Sequence, residues 1–152
     1  MKNQPFDVKC YHPKDAQNVP EDEVVDFLYK HLDEFGDAAE DIRKCLHYAI
    51  SEKEGMGGRV ITARDTENNQ QLAGVVILNQ TGMQGYIPEN ILVYIAVHAD
   101  YRGKGLGKIL MSAAEENVEG SIALHVEPNN PARFLYEKAG YTNKYLEYRL
   151  NK

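Results

Sequence analysis

The feature that most constrains the fold is a strand-like apolar run that leads through a glycine-rich loop into a helix. Residues 91–97 are almost continuously apolar, which is typical of a central strand buried on both faces. Gly103, Gly105 and Gly107 follow at alternate positions, and apolar residues then recur at helical spacing to about residue 118. A buried strand joined in this way to a helix indicates an α/β fold.

The loop has the composition of a phosphate-binding site. Glycine lets successive backbone N–H groups converge on one point, and the start of the following helix carries partial positive charge. Arg102, Lys104 and Lys108 add full positive charges to a chain whose net charge is −6. A tight strand-to-helix turn with solvated basic residues is the alternative. The agreement of spacing, charge and position favours an anion site.

Two common phosphate loops do not fit these residues. The Walker pattern needs four residues between its glycines and Ser or Thr after its lysine, whereas three residues separate Gly103 from Gly107 and Ile109 follows Lys108. The dinucleotide pattern G-x-G-x-x-G needs two residues before its last glycine, where this chain has only Leu106. The pattern that remains is Arg-x-x-Gly-x-Gly.

Other apolar runs predict the remaining strands of a mixed sheet. The crossover from residues 91–97 through a helix to the next strand is parallel, whereas the earlier strands are linked as hairpins. Residues 141–150 alternate well enough to predict a closing hairpin. The other predicted strands are residues 6–10, 60–63, 72–78 and 122–126.

Helical spacing and breaking residues predict three further helices. A first helix with acidic residues in its first turn ends at Gly36, and Asp37 caps a second helix. The last helix begins near Pro131. Together with the strands, this predicts one domain, residues 1–152, of the α/β class, with a central mixed sheet flanked by helices.

Composition and charge exclude several classes of protein. A net charge of −6 argues against general nucleic-acid binding, which needs a basic face. No run approaches the ~18 apolar residues of a membrane helix, so no membrane partner is expected. Cys10 and Cys45 are too few and too far apart for a disulfide framework or a cysteine zinc site. Free thiols in the cytoplasm, and no metal site, are therefore expected.

Acidic residues are concentrated between residues 21 and 54. They could form a rim that attracts a cationic amine, but the solvent faces of two helices would look the same. Charge runs usually mark solvated surface, so exposed helix faces are the favoured interpretation.

Two motifs, in order, resemble the GCN5-related N-acetyltransferase (GNAT) superfamily. Residues 102–107 resemble the family's pyrophosphate loop, Arg-x-x-Gly-x-Gly. Residues 129–141, NNPARFLYEKAGY, resemble its Asn…Ala…Leu-Tyr-Glu-Lys-x-Gly-Phe segment, with Tyr141 in place of Phe. The match is close over residues 91–141, which would form the acetyl-CoA-binding part. The residues before 91 resemble the family only in the order of their helices and strands.

The resemblance implies an acyltransferase that uses acetyl-CoA as co-substrate. In the family, the strand before the loop carries a bulge and splays from the next strand, and pantetheine pairs with its exposed backbone. In this chain, the corresponding backbone would be that of Ile95, Ala96 and Val97. The Val97 N–H would polarise the thioester carbonyl. The pyrophosphate would bind to Arg102, Gly103, Lys104, Gly105, Leu106, Gly107 and Lys108, and the pantetheine arm to Asn129 or Asn130.

The resemblance also assigns catalytic residues. Tyr136 resembles the family's general acid, since a phenol stays protonated at neutral pH and can donate to the departing thiolate. The alternative is an ordinary core tyrosine. His125 resembles the general base that some members carry on the strand after the loop helix, and an imidazole suits that task. A packed structural histidine is the alternative, and Glu127 or a water relay would then accept the proton.

The acceptor amine is left open by the resemblance. Small amines, amino acids, antibiotics, and protein N-termini or lysines all serve as acceptors in the family. A compact chain with an acidic helical region favours a small cationic amine. The rival functions are a CoA-binding sensor without turnover and a nucleotide-binding regulator that uses the same loop. The resemblance also allows a homodimer.

Overall fold

Helices cover both faces of a five-stranded sheet in the computed structural model, which describes residues 5–152. In their order along the sheet, the strands are β1 (Phe6–Tyr11), β2 (Gly58–Asp65), β3 (Gln71–Gln80), β4 (Asn90–Val97) and β5 (Ile122–Ala123). Neighbouring strands from β1 to β4 are antiparallel, and β5 is parallel to β4. The predicted mixed sheet and its parallel crossover are thus confirmed. Residues 1–4 of the predicted domain lie outside the described residues.

The helices divide between the two faces of the sheet. They are α1 (Glu21–His31), α2 (Ala39–Ala49), α3 (Leu106–Glu116) and α4 (Arg133–Lys138). One apolar cluster, here the first core, lies between the sheet and α1 and α2; the second core lies between the sheet and α3 and α4. Alternate β3 residues enter different cores, which explains why that strand is apolar almost throughout. No helix within residues 5–152 is both long and apolar enough to cross a bilayer.

Strand β4 is bulged and separates from β5. Ile77 of β3 pairs with Tyr94, and Leu78 pairs with Leu92, so Val93 is an extra residue in β4. Only Asn90 and Ile91 of β4 pair with β5. Within the described part of the chain, the β5-side edge of β4 is therefore open from Leu92 to Val97, and the two strands form a V.

The separation of β4 and β5 also explains two wrong predictions. The predicted strand 122–126 ends at Ala123, because the following residues have lost their partner in β4. The predicted hairpin over residues 141–150 is absent, and that segment contains no strand. Alternation alone does not make a strand: a hairpin needs a paired edge to extend, and a two-residue β5 offers almost none.

The link between α1 and α2 differs from the prediction as well. Asp33 has a φ of +55°, a left-handed conformation that an α-helix cannot continue, so α1 ends at His31 rather than near Gly36. A short 3-10 turn, Asp33–Phe35, follows. The predicted cap of α2 is wrong: the N-cap is Ala38, and the Asp37 carboxylate instead accepts a hydrogen bond from a β4 side chain described below.

Candidate active site

The loop before α3 presents a row of open backbone donors. Gly103 and Gly105 have φ values of +77° and +82°, in the left-handed region that favours glycine. The first bond of α3 runs from the Ile109 N–H to the Gly105 carbonyl, at 3.2 Å. Among residues 5–152, no acceptor pairs with the N–H groups of residues 103–108. Six successive donors at a helix N-terminus are the arrangement that binds phosphate oxygens.

The basic side chains of the loop have different surroundings. Lys104 and Lys108 are exposed, and neither pairs with a carboxylate in the described part of the chain. The Arg102 guanidinium donates to two backbone carbonyls, that of Val97 at 3.3 Å and that of His31 at 3.1 Å. Arg102 therefore ties the end of α1 to the end of β4. Its predicted contact with pyrophosphate stays a prediction.

His31 and His98 complete the contact between α1 and the loop. Their ring centroids are 4.3 Å apart. Burial, and then the neighbouring His98, lower the pKa of His31, which favours an uncharged ring at neutral pH. An uncharged ring can lie beside the Arg102 guanidinium without charge repulsion.

Gly107 serves helix packing rather than a special backbone conformation. It lies within α3, and a Cβ added to it would come within 3.0 Å of Leu135 Cδ2 in α4. The Leu135 side chain would therefore have to shift by a few tenths of an ångström to admit a side chain at Gly107. Gly103 and Gly105 have no atom within 4 Å of an added Cβ, so only their backbone conformation requires glycine.

The open edge of β4 exposes alternate backbone groups. The His98 N–H donates to the Ala73 carbonyl of β3 at 2.8 Å, so in an antiparallel ladder the backbone of Ala96 also faces β3. The backbone groups of Ile95 and Val97 then point to the opposite side, into the V, where, within the described residues, the Val97 carbonyl accepts from Arg102 and the Val97 N–H is open. Of the three residues predicted to pair with pantetheine, Ile95 and Val97 have the required orientation. Ala96 instead pairs with β3 and has its side chain in the first core.

Polar contacts fix the closed end of the V. The Asn90 side-chain amide donates to the carbonyls of Glu119 at 2.7 Å and Ser121 at 3.2 Å. The Glu89 carboxylate accepts from the Ser121 N–H at 2.8 Å, and this bond lowers the pKa of Glu89. Glu89 therefore joins the starts of β4 and β5.

Tyr136 is the buried residue of α4. Its side chain is in the second core, against which the side chains of Ile95 and Val97 also pack. Burial, and then the nearby Tyr141, raise the pKa of Tyr136 to about 12. No hydrogen bond to the Tyr136 hydroxyl occurs within the described residues. The phenol is therefore protonated at neutral pH, and its proton is not committed to another protein group.

The two candidate bases lie on the segment that follows β5. Leu124 and Val126 pack against the second core, whereas His125 between them is exposed. His125 has no hydrogen-bond partner in residues 5–152, and Glu127 is also exposed. Both groups are therefore accessible to solvent, and the choice between them stays open.

A family model, described as an acetyltransferase (GNAT) domain, matches residues 56–143. The chain belongs to the GNAT family. This confirms the resemblance seen in the sequence, and the GNAT fold class with it. Acetyl-CoA is the co-substrate of these acetyltransferases, as predicted.

Relatives of this GNAT chain support the assignment. A Haemophilus influenzae protein named [ribosomal protein bS18]-alanine N-acetyltransferase is 35% identical over 94 residues, which cover 59% of this chain and 60% of that relative. The match thus spans less than two thirds of the relative's length.

Solved structures show the same fold at low identity. The ribosomal-protein-alanine N-acetyltransferase of Brucella melitensis biovar Abortus 2308 is 22% identical, with a TM-score of 0.58 and coverage of 97% of this chain and 99% of the other. An aminoglycoside acetyltransferase from an uncultured soil metagenomic sample, in complex with sisomicin, is 11% identical, with a TM-score of 0.60 and 97% coverage of both chains.

The two predicted pantetheine ligands of this GNAT chain have different contacts. The Asn130 side-chain oxygen accepts from the Ala132 N–H at 2.9 Å and so organises the turn that leads into α4. Asn129 is exposed, and its side chain makes no hydrogen bond within the described residues. Asn129 can therefore offer a ligand both its side-chain oxygen and its NH2 group, whereas Asn130 has only its NH2 group free.

Tyr101 anchors the GNAT loop and was missed by the sequence analysis. Its hydroxyl donates to the Asp65 carboxylate at the end of β2 at 2.6 Å, and its ring packs edge-on against His98 at 5.6 Å. This fixes the chain one residue before Arg102. The only sequence signal was a large aromatic residue directly before the glycine pattern.

Proposed function

We propose that this GNAT protein transfers the acetyl group of acetyl-CoA to a primary amine of a small cationic molecule. One observation carries the proposal: the open N–H groups of residues 103–108 lie on the loop that follows β4, a strand whose edge is open from Leu92 to Val97. The N–H groups would bind the pyrophosphate, and the backbone of Ile95 and Val97 would pair with the pantetheine arm. The thioester would then lie in the V.

The chain's own residues supply the remaining chemistry. The lone pair of the acceptor nitrogen attacks the thioester carbonyl carbon, and the Val97 N–H stabilises the developing oxyanion. The acceptor proton passes to His125, Glu127 or water. The C–S bond then breaks, and Tyr136 protonates the departing thiolate, since its raised pKa keeps the proton available. The products are an N-acetylated amine and free CoA.

A protein N-terminal amine is the second candidate acceptor. It is favoured by the Haemophilus influenzae relative, whose name gives an alanine of ribosomal protein bS18 as the acceptor. The small cationic amine is preferred because four exposed acids on and beside the link between α1 and α2 have no Lys, Arg or His partner within the described residues: Asp33, Glu34, Asp37 and Glu40.

A panel of acceptors tests the proposal. Thiol release from acetyl-CoA is measured with wild-type protein and one of three acceptor series: small diamines, small monoamines, or peptides that begin with alanine. We expect kcat/KM to be higher for the small amines than for the peptides that begin with alanine. Highest kcat/KM for an alanine peptide would favour the second candidate instead. CoA binding without thiol release from any amine would contradict both and identify a sensor.

A further inference from the structure

The link between α1 and α2 holds a carboxylate against β4. The Tyr94 hydroxyl donates to Asp37 Oδ2 at 2.5 Å. The Tyr94 side chain is buried in the first core, whereas Asp37 is exposed. Burial, and then the bond to Asp37, raise the pKa of Tyr94 well above its ordinary value. The phenol therefore remains a neutral donor at physiological pH, and it fixes the position of Asp37 without cancelling its charge.

Asp37 has no other partner within residues 5–152. Its Oδ1 makes no hydrogen bond, and no Lys, Arg or His nitrogen lies within 4.0 Å of the carboxylate. Three acids in the first turn of α1 are paired, by contrast: Glu21 and Asp22 with Arg43, at 3.1 and 2.9 Å, and Glu23 with Arg64, at 2.6 Å. Asp37 does not cap α2 either, as described above. It is thus a charged group that is oriented but not neutralised.

The position of Tyr94 connects Asp37 to the proposed reaction site. Tyr94 follows the bulged Val93 and precedes Ile95 and Val97, whose backbone faces the V. Tyr94 and Val97 are three strand positions apart, so their Cα atoms are about 10 Å apart at ~3.3 Å per residue. Val93, directly beside Tyr94, has 37% of its surface exposed, so this part of β4 is accessible.

We infer that Asp37 binds a second cationic group of the acceptor, at the side of β4 from which the Tyr94 side chain projects. The inference rests on the proposed function and narrows its substrate class to molecules with at least two amines. An ammonium group would donate to the open Asp37 oxygen in a charge-assisted hydrogen bond. Because Tyr94 holds the carboxylate in place before binding, little ordering is needed when the ligand arrives.

The test compares linear diamines with monoamines of the same chain length. With wild-type protein, we expect a lower KM for the diamine of best length than for its matched monoamine. Asp37→Asn keeps the shape of the side chain and its acceptor for Tyr94 but removes the charge. Its KM for the diamine should rise about 10- to 100-fold, with kcat little changed, because a hydrogen bond to a charged group is lost. Its KM for the monoamine should not change.

Two further variants separate binding from folding. Tyr94→Phe removes the donor that orients Asp37, and we expect a smaller rise in the diamine KM. Glu40→Gln, at an exposed position in the first turn of α2, is the matched control and should leave both KM values unchanged. The monoamine rate of each variant reports whether its fold is intact.

Three outcomes would overturn the inference. Wild-type protein that acetylates both amines without preferring the diamine would overturn it and leave the proposed function standing. An equal effect of Asp37→Asn on diamines and monoamines would do the same. If wild-type protein acetylates no amine, the proposed function fails, and this inference fails with it.

Discussion

Tyr136→Phe is expected to slow acyl transfer by about 10²- to 10⁴-fold, the usual loss when a general acid is removed. The phenylalanine ring keeps the packing of Tyr136 in the second core, so stability and CoA affinity should change little. The rate is measured by stopped flow in a single turnover, because slow product release could hide the effect in steady state.

A neighbouring tyrosine provides the control for Tyr136. Tyr141 has its ring centroid 6.2 Å from that of Tyr136 and packs against the same core. Tyr141→Phe also removes a tyrosine hydroxyl, but from the ring next to Tyr136. We expect this variant to transfer acetyl groups within a few-fold of the wild-type rate. If Tyr136→Phe also reacts at the wild-type rate while it binds CoA, Tyr136 is a packing residue.

Gly105→Glu should abolish CoA binding. The substitution puts a carboxylate beside the six open N–H groups, and two like charges 4 Å apart repel by about 4 kcal/mol at an effective dielectric constant of 20. That energy corresponds to a more than hundredfold increase in the Kd for CoA. Calorimetry with CoA measures the loss.

Gly105→Ala separates this repulsion from backbone strain. Alanine at a φ of +82° carries the same left-handed strain, about 1–2 kcal/mol, without the charge. An added Cβ meets no atom within 4 Å. We therefore expect Gly105→Ala to bind CoA clearly better than Gly105→Glu. Equal affinities of the two variants would mean that only the loop conformation matters and that no phosphate lies beside residue 105.

The acetyl-CoA-binding part of the chain was predictable because the sequence patterns that mark it are local. The apolar run of β4, the alternate glycines and the helical spacing of α3 lie within a stretch of about 25 residues, so periodicity and glycine spacing describe all three. The pairing of β4 with β5 followed from the helix between them. The bulge and the splay came only with the family resemblance, since no residue pattern in β4 marks Val93 as extra.

What could not be predicted are contacts between distant residues. Asp37 and Tyr94 are 57 residues apart, and Asp65 and Tyr101 are 36 apart. No local pattern encodes such pairs. For Asp37 the local pattern was misleading, because an aspartate before a helix is a good cap and the competing Tyr94 hydroxyl is visible only in three dimensions. The hydrogen bonds of Arg102 to backbone carbonyls of the protein could not be predicted for the same reason.

The backbone N–H groups of residues 103–108 offer the most direct test that this loop binds the pyrophosphate of acetyl-CoA. Their amide resonances are followed by NMR in a titration of wild-type protein with CoA and, separately, with pantetheine, which lacks the pyrophosphate. We predict large shifts of these six resonances with CoA and small ones with pantetheine, and shifts of Ile95 and Val97 with both. Six unchanged loop resonances in protein saturated with CoA would contradict the account.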